Sequence, residues 1–571
     1  GTVVVLFVLL FFYRRIFSRL AQRMGVPVES NGDDPNGASS DSLLAIGFDL
    51  GSLTGAGGNA STTSFRYFIF VGDNPTLVSN MYDQLNNGTG GGHLTTDGAA
   101  PADETLLQPD GSTNVSIAQL PYREYYPEGY ANSETYTFIP MVNTNDDPSR
   151  VVVIARYEYN PSDPTAQRDQ VIADFTLGAG ERGGITITDP GMYARNELLV
   201  RKDTPYSLEV RSQLPVAATF SHYDQFILAG SRAAVGEAFT TRVSNSWTFG
   251  GVTKSDGTDG VTDLILFTNV TNQPAKITTT LYPESGGTPI VLTQELGAYR
   301  RGGWNFNAEV AVPAGKYGVR VVSDGAELVA AMTHYDSTNR AANGFAGDAS
   351  GGAAKGVLPE GSLGITSDRE ELQFLNTDTE EVSVTLSFVF SNGSAYRWVL
   401  TIPAQARTTL DLSTLPSFPT GLNYAASYEA TGPITVSRSA LAFGEGLGTM
   451  LSDKAYSLWG FGEGFRPASG SAVTESLKLY NPTSNTVLCE VTLFYDNGLG
   501  TETFRMSLPS RQTVDVNVHD LVTGSARLVD AFYGITVKSS SPIVASMTHS
   551  DAFFPGAFQT LGTPLGIDAG F

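Results

Sequence analysis

The chain has 571 residues, a formal net charge of −23 and a single cysteine. Because 58 acidic residues outnumber 35 basic ones, the composition argues against nucleic-acid binding, which needs a basic surface to meet phosphates. One cysteine excludes an intrachain disulfide framework and a cysteine-cluster metal site. The 61 glycines, 24 tyrosines and 31 phenylalanines favour β-structure with many turns, and the length predicts about three to five domains.

The first 25 residues form a basic, apolar segment ahead of an acidic body. Residues 2–13 are almost wholly apolar, and apolar residues then recur at helical spacing as far as Gly25, which predicts one helix over about residues 2–24. The residues that we expect to form an assembly interface are Val3, Val4, Val5, Leu6, Phe7, Val8, Leu9, Leu10, Phe11, Phe12, Ile16, Phe17 and Leu20, with the basic residues Arg14, Arg15, Arg19 and Arg23.

Three interpretations of this helix compete. The apolar run, about twelve residues, is shorter than the roughly 20 that a transmembrane helix needs. A membrane anchor would also place the arginines, and the body after them, in the cytoplasm by the positive-inside tendency. A helix buried within the globular body is the second possibility. We favour the third, a subunit-packing helix in the core of a polymer.

The layout of residues 1–25 resembles that of pilins and of archaeal pilus or flagellar-filament subunits, in which a short apolar helix precedes β-rich material. The resemblance implies a homopolymer of this chain outside the cell, with the membrane contacted only before assembly. The chain begins with Gly, so we expect either processing or missing upstream residues. A conventional secretory signal would lose the apolar core that is retained here.

Residues 26–132 are rich in Gly, Asn and Ser and are interpreted as a connecting region. Apolar stretches at 43–50 and 65–71 predict strands between flexible loops. The aromatic segment at 122–127 is expected to pack on the domain that follows it.

An internal repeat occupies the rest of the chain. An apolar strand ending in Asn recurs at Asn143, Asn269, Asn376 and Asn481, at steps of 126, 107 and 105 residues. Each Asn is followed by polar turn residues and an alternating strand, so we expect its side chain to bond to backbone in that turn.

The repeats end in a strand that carries His-x-Asp in three of the four units, namely His222 with Asp224, His334 with Asp336, and His549 with Asp551. The third unit has Ala440 and Ala442 at these positions. Residues two apart on a strand face the same way, so the pair could chelate an ion. Two ligands do not complete a metal site, and we expect a structural lock in which His bonds near its own Asp or to backbone.

The fold class predicted is mainly β: an N-terminal α-helix followed by about four tandem immunoglobulin-like or fibronectin-like sandwiches of about seven strands each. The domains are placed at 133–250, 251–357, 358–460 and 461–571, joined by short linkers as a semi-rigid rod or a compact cluster. Residues 133–571 resemble repeat modules of bacterial cell-surface proteins, which implies a surface location.

No catalytic motif stands out, so we expect a protein that is not an enzyme and has no cofactor. Acid-rich loops such as 256–263 could bind Ca²⁺, but none has EF-hand spacing. The function predicted is the structural subunit of an extracellular surface filament. The alternatives are a membrane-anchored adhesin or carbohydrate-binding surface protein, with glycan or host-cell partners, and an unrecognised extracellular hydrolase.

Overall fold

A computed structural model describes residues 120–160, 166–224, 233–284, 286–467, 473–496, 498–521, 530–552, 556–566 and 568–570, and the backbone of 44–49 and 66–71. The predicted assembly helix, with all of its apolar and basic residues, lies outside these ranges. Within them, no helix combines the length and the apolar character needed to cross a membrane.

The chain divides into two compact units, one of Gly1–Asp97 with Asp110–Ser116 and one of Gly98–Pro109 with Ile117–Phe571. In the first unit, strands β1 (Leu44–Asp49) and β2 (Arg66–Val71) pair antiparallel.

The second unit is mainly β, as predicted, and contains four successive sets of strands. The first set is β3 (Tyr122–Tyr126), β4 (Thr135–Asn143), β5 (Ser149–Tyr157), β6 (Asp169–Leu177), β7 (Glu181–Thr188), helix α1 (Pro190–Arg195), β8 (Tyr206–Ser212), β9 (Val216–Asp224) and β10 (Ala233–Ala238). The second is β11 (Ser246–Lys254), β12 (Val261–Asn269), β13 (Ala275–Pro283), β14 (Ile290–Leu296), β15 (Arg301–Asn305), β16 (Gly315–Asp324), β17 (Leu328–Asp336) and β18 (Ala341–Ala346).

The third set is β19 (Ala353–Gly361), β20 (Ser367–Asn376), β21 (Val382–Phe390), β22 (Ala395–Ile402), β23 (Ala406–Asp411), β24 (Tyr424–Ala442) and β25 (Glu445–Met450). The fourth is β26 (Lys454–Phe461), β27 (Phe465–Arg466), β28 (Val473–Tyr480), β29 (Val487–Tyr495), β30 (Thr501–Leu508), β31 (Thr513–Asn517), helix α2 (Val518–Leu521), β32 (Ala531–Asp551), β33 (Gly556–Leu561), β34 (Thr563–Pro564) and β35 (Asp568–Gly570). Short 3₁₀ turns, Phe306–Ala308 and Leu412–Thr414, follow β15 and β23.

Each set folds into two antiparallel sheets with the same strand order. The first forms β3-β8-β5-β6 and β10-β9-β4-β7, and the second forms β11-β16-β13-β14 and β18-β17-β12-β15. In the third and fourth sets, one long strand serves both sheets. The first half of β24 pairs with β19 and β21, and its second half pairs with β20 and β25. In the same way, the first half of β32 pairs with β26 and β29, and its second half pairs with β28 and β33. We call these four sheet pairs sandwiches 1 to 4.

The first strand of each sandwich starts before the boundary placed from the sequence. The divisions at 250/251 and 357/358 fall inside β11 and β19, and β3 lies in the range assigned to the connecting region. Glycine occurs in these strands where a side chain would collide with a packed neighbour, since a Cβ on Gly361 would lie 2.0 Å from the Tyr424 ring.

The strand that follows β9, β17, β24 and β32 in its sandwich was not revealed by the sequence, and these four strands bring the sandwiches together. Strands β10, β18, β25 and β33 contact one another in a closed cycle, so sandwich 4 meets sandwich 1 as well as sandwich 3. These strands are rich in Ala and Gly because backbones approach closely. A Cβ on Gly446 would lie 2.6 Å from the Ala342 carbonyl oxygen, and one on Gly556 would lie 2.5 Å from Ala234 Cβ. The second unit is therefore a compact cluster and not a rod.

Candidate functional site

A cleft of about 830 Å³ lies where sandwich 4 meets sandwich 1. Sandwich 1 contributes side chains from β4, β7 and β9, and sandwich 4 contributes the segment before β28 and the long strand β32. The lining residues are Phe138, Pro140, Arg182, Gly184, Ile185, Thr186, Ser221, Tyr223, Glu463, Phe465, Asp530, Phe532, His549 and Asp551.

Glu463 enters the cleft from a tightly packed turn. Its carboxylate accepts a hydrogen bond of 2.7 Å from the Ser221 hydroxyl, which belongs to the other sandwich. The next residue, Gly464, accepts a hydrogen bond of 2.9 Å at its carbonyl oxygen from the Tyr533 amide. A Cβ at this glycine would lie 2.4 Å from the same Tyr533 carbonyl and ring, so only glycine fits here.

Next to Glu463, a buried carboxylate and a buried imidazole are hydrogen-bonded to each other. Oε1 of Glu475 lies 3.1 Å from Nδ1 of His549 and also accepts from the Phe465 amide at 2.8 Å. Burial by itself lowers the pKa of His549, but the hydrogen bond and charge of Glu475 outweigh it, and the pKa is raised overall. Burial likewise raises the pKa of Glu475, but His549 and the Tyr533 hydroxyl outweigh it, and this pKa is lowered overall.

The lining of the cleft includes two stacked aromatic rings and the guanidinium of an arginine. The rings of Phe465 and Phe532 stack with centroids 4.5 Å apart, and Phe532 is 39% exposed. The Arg182 guanidinium lies 4.9 Å from the Phe532 centroid. Burial lowers the pKa of Arg182, against the opposing charges of Glu463 and Asp496. The Nε atom of this arginine is buried without a hydrogen-bond partner among the described residues.

Three ligand atoms of Glu463, Glu475 and His549 lie within 4.8 Å of one another, close enough to surround a metal ion. Two of the three groups already bond to each other, however, and Nε2 of His549 lies 3.4 Å from the Tyr223 hydroxyl. The arrangement is that of a hydrogen-bonded core network. In the acid-rich loop 256–263, which was considered as a possible Ca²⁺ site, Asp256 accepts from the Thr258 amide and so closes a turn.

The four repeat asparagines occupy the last position of β4, β12, β20 and β28 (for Asn481, the position after it), and each is fully buried. Asn481 shows the pattern. Its amide nitrogen donates to the carbonyls of Asn485, Leu508 and Pro509 at 2.7, 3.0 and 3.0 Å, and its oxygen accepts from the Thr483 amide at 2.9 Å. Asn143, Asn269 and Asn376 make the corresponding bonds, to the turn that follows and to the next hairpin.

The three histidines are buried or nearly so, but their closest polar partners lie on the facing strand and not at the neighbouring Asp. His222 Nδ1 lies 2.8 Å from the Thr137 hydroxyl, whereas its Nε2 is 3.9 Å from Asp224. His334 Nδ1 lies 2.5 Å from Asp263. Asp336 instead accepts from the amide of Asn339 at 2.9 Å. Asp224 and Asp551 line cavities.

Two sets of acidic residues near these sites were not identified from the sequence. An acid faces the histidine on the neighbouring strand in sandwiches 2 and 4, Asp263 opposite His334 and Glu475 opposite His549. In sandwich 3, where the histidine is absent, the acid at this position is Glu370, and it forms an ion pair with Arg438 at 2.7 Å. The second set is a recurring Glu-Gly pair at Glu128, Glu360 and Glu463. This dipeptide lies 15 to 18 residues before three of the four repeat asparagines, Asn143, Asn376 and Asn481, and is the signal that could have revealed the cleft.

The model of the family described as Anabaena sensory rhodopsin transducer matches residues 455–556, which run from β26 to the start of β33. A crystal structure of Thermotoga maritima 1070 aligns with 18% of this chain and 93% of its own, at 23% identity and a TM-score of 0.17. The crystal structure of a tetra-tandem repeat in the extending region of a large adhesion protein aligns with 77% of this chain and 96% of its own, at 12% identity and a TM-score of 0.09. No curated protein matches.

Proposed function

We propose that this chain is a surface-exposed binding protein that holds a small glycan in the cleft between sandwiches 4 and 1. The cleft itself carries the proposal. Its volume of about 830 Å³ falls within the range of about 300–1,000 Å³ that is usual for small-molecule sites. It joins two sandwiches, and junctions between domains are preferred places for such sites.

The chemistry of the lining supports a polyhydroxylated ligand. The stacked rings of Phe465 and Phe532 offer an apolar platform, and Phe532 is partly exposed to solvent. Glu463, from sandwich 4, and Arg182, from sandwich 1, provide an acceptor and a donor in the same cleft, as a ligand with many hydroxyl groups requires. We propose binding without turnover, and a location outside the cell, which the resemblance of residues 133–571 to repeat modules of bacterial cell-surface proteins implies.

A glycan array probed with the labelled full-length chain tests this function, followed by calorimetric titration of the best ligand. Phe532→Ala removes the exposed ring and is expected to weaken binding about tenfold or more. Leu488→Ala, which trims a side chain 64% exposed on the same sandwich, is the matched control and should leave affinity unchanged. The proposal fails if no glycan binds, or if Phe532→Ala binds as tightly as the control.

A second proposal is the filament, in which copies of this chain polymerise through residues 2–24. The observation that favours it is the run of about twelve apolar residues, too short to cross a bilayer and too apolar to face water. We expect a variant that lacks residues 1–24 to stay folded and to lose polymerisation, as seen by sedimentation and negative-stain microscopy. Filaments of normal length from the truncated chain would contradict this role of the helix.

A further inference from the structure

A second cavity, of about 270 Å³, lies where sandwich 1 meets sandwich 2. Because the four sandwiches share one strand order and contact one another in a cycle, this junction is related to the 4–1 junction by one step around the cycle. Glu128 stands where Glu463 stands in the larger cleft. Each carboxylate accepts from a hydroxyl on the next sandwich, Thr333 for Glu128 and Ser221 for Glu463.

Several other lining residues of the two cavities correspond. Each glutamate is followed by glycine and then by an aromatic residue, Tyr130 in one cavity and Phe465 in the other. Tyr130 is 38% exposed. Both cavities also contain the His-x-Asp pair of one sandwich and, from the next sandwich, an arginine and a tyrosine. These are His222, Asp224, Arg301 and Tyr335 in the smaller cavity, and His549, Asp551, Arg182 and Tyr223 in the larger.

At the junction of sandwiches 2 and 3, the site glutamate is replaced by Gly251. The Arg407 side chain occupies the space, since a Cβ on Gly251 would lie 2.6 Å from its Nε. Nε of Arg407 donates to the Gly250 carbonyl at 3.2 Å, and its Nη1 donates to Glu284 at 3.1 Å.

At the junction of sandwiches 3 and 4, the glutamate is present but neutralised. Oε1 of Glu360 lies 2.6 Å from Nζ of Lys478, and both side chains are largely buried. Lys478 occupies the strand position that is Pro140 at the junction of sandwiches 4 and 1, and Leu266 at the junction of sandwiches 1 and 2. The Thr513 hydroxyl donates to the Pro359 carbonyl at 2.6 Å and ties the same junction together.

We propose that the chain has two binding sites of the same chemical class, and that the junction of sandwiches 1 and 2 is the second. The proposal rests on the function proposed above for the larger cleft. A cavity of about 270 Å³ is near the lower end of small-molecule sites, so this site takes a single sugar ring, whereas the larger cleft accepts a longer glycan. The two sites flank sandwich 1, which makes the chain bivalent for short sugars.

Equilibrium dialysis of the full-length chain tests the proposal, with methyl glycosides of glucose, galactose, mannose and N-acetylglucosamine as separate probes. At saturation, at least one probe should bind at two equivalents per chain. Glu463→Gln and Glu128→Gln should each reduce this to one, and the double variant to none. Tyr130→Ala, at an exposed ring, repeats the test of the second site without changing a buried group. Glu429→Gln, at a side chain 72% exposed on sandwich 3, should keep two equivalents.

If Glu463→Gln lowers the number of probe molecules bound per chain but Glu128→Gln and Tyr130→Ala leave it unchanged, the second site is wrong. The proposed function of the larger cleft then stands. The same conclusion follows if array glycans bind through Phe532 while no methyl glycoside binds. Binding that none of these variants changes, or no binding of any glycan, overturns both.

Discussion

Oε1 of Glu475 lies 3.1 Å from Nδ1 of His549 on the neighbouring strand, and neither side chain is more than 3% exposed. Tyr533 and the Phe465 amide donate to the same carboxylate, so its charge is well compensated in the core of sandwich 4. The pair is part of the cleft, because His549 lines it and Glu475 holds the amide of Phe465, one of the two stacked rings of the lining.

This pair should make stability depend on pH in a defined way. The pKa of His549 is raised in the fold, so its contribution is complete below the unfolded value of about 6.5 and is lost as pH rises through the folded pKa. The pKa of Glu475 is lowered, so its contribution is complete above about 4.3 and is lost as pH falls through its folded pKa. The difference in free energy of unfolding between wild type and His549→Gln should therefore be greatest between about pH 4.3 and 6.5. Urea unfolding at several pH values measures it, and a difference that does not vary with pH would contradict the ion pair.

Asn481→Ala should destabilise the chain by on the order of 1–3 kcal/mol, because it leaves buried backbone groups without partners. Asn481→Asp should cost at least as much at neutral pH, since it places a carboxylate against three carbonyl oxygens. Asn485→Ala, at an exposed residue of the same turn, is the control and should stay within about 0.5 kcal/mol of wild type. Equal denaturation midpoints for all four proteins would show that the asparagine does not hold the turn.

Arg407→Ala should loosen the junction of sandwiches 2 and 3. The guanidinium is 1% exposed and donates to Glu284 and to the Gly250 carbonyl, so its removal leaves a buried acceptor unpaired and costs about 1–3 kcal/mol. Arg505→Ala is the matched control. Its side chain is 81% exposed in a pair with Glu490, and its loss should cost less than about 1 kcal/mol. Thermal unfolding compares them, and a larger loss for the exposed arginine would refute the assignment.

Cys489 should resist thiol reagents while the chain is folded. It is 1% exposed, and burial followed by the charge of Glu490 raises its pKa to about 12, which leaves almost no thiolate at pH 8. A chromogenic disulfide reagent should therefore label it only in strong denaturant. Leu488→Cys adds a thiol at the adjacent position, which faces the other way and is 64% exposed, and this variant should react once per folded chain. Rapid labelling of the native wild type would show that this strand opens.

The mainly β fold class was predictable because strand alternation and turn residues are local signals. Strands β10, β18, β25 and β33 were not predictable. Stretches such as Ala341–Ala346 are poor in the β-branched and aromatic residues that mark a strand, because neighbouring backbones leave no room for them. The partner of each histidine was also hidden. Asp263 lies 71 residues from His334, and no local pattern links two strands that far apart.

By itself the sequence determined the repeat, its asparagine-anchored turns and the β-rich character of residues 133–571, since each depends on residues within about one hairpin of one another. Only the tertiary structure decided which junctions stay open. Ser221 and Glu463 meet across 242 residues because the cycle of sandwiches closes on itself. Whether a junction is a cavity or is filled then depends on single residues, Gly251 with Arg407 or Glu360 with Lys478, whose contacts exist only once two sandwiches have packed together.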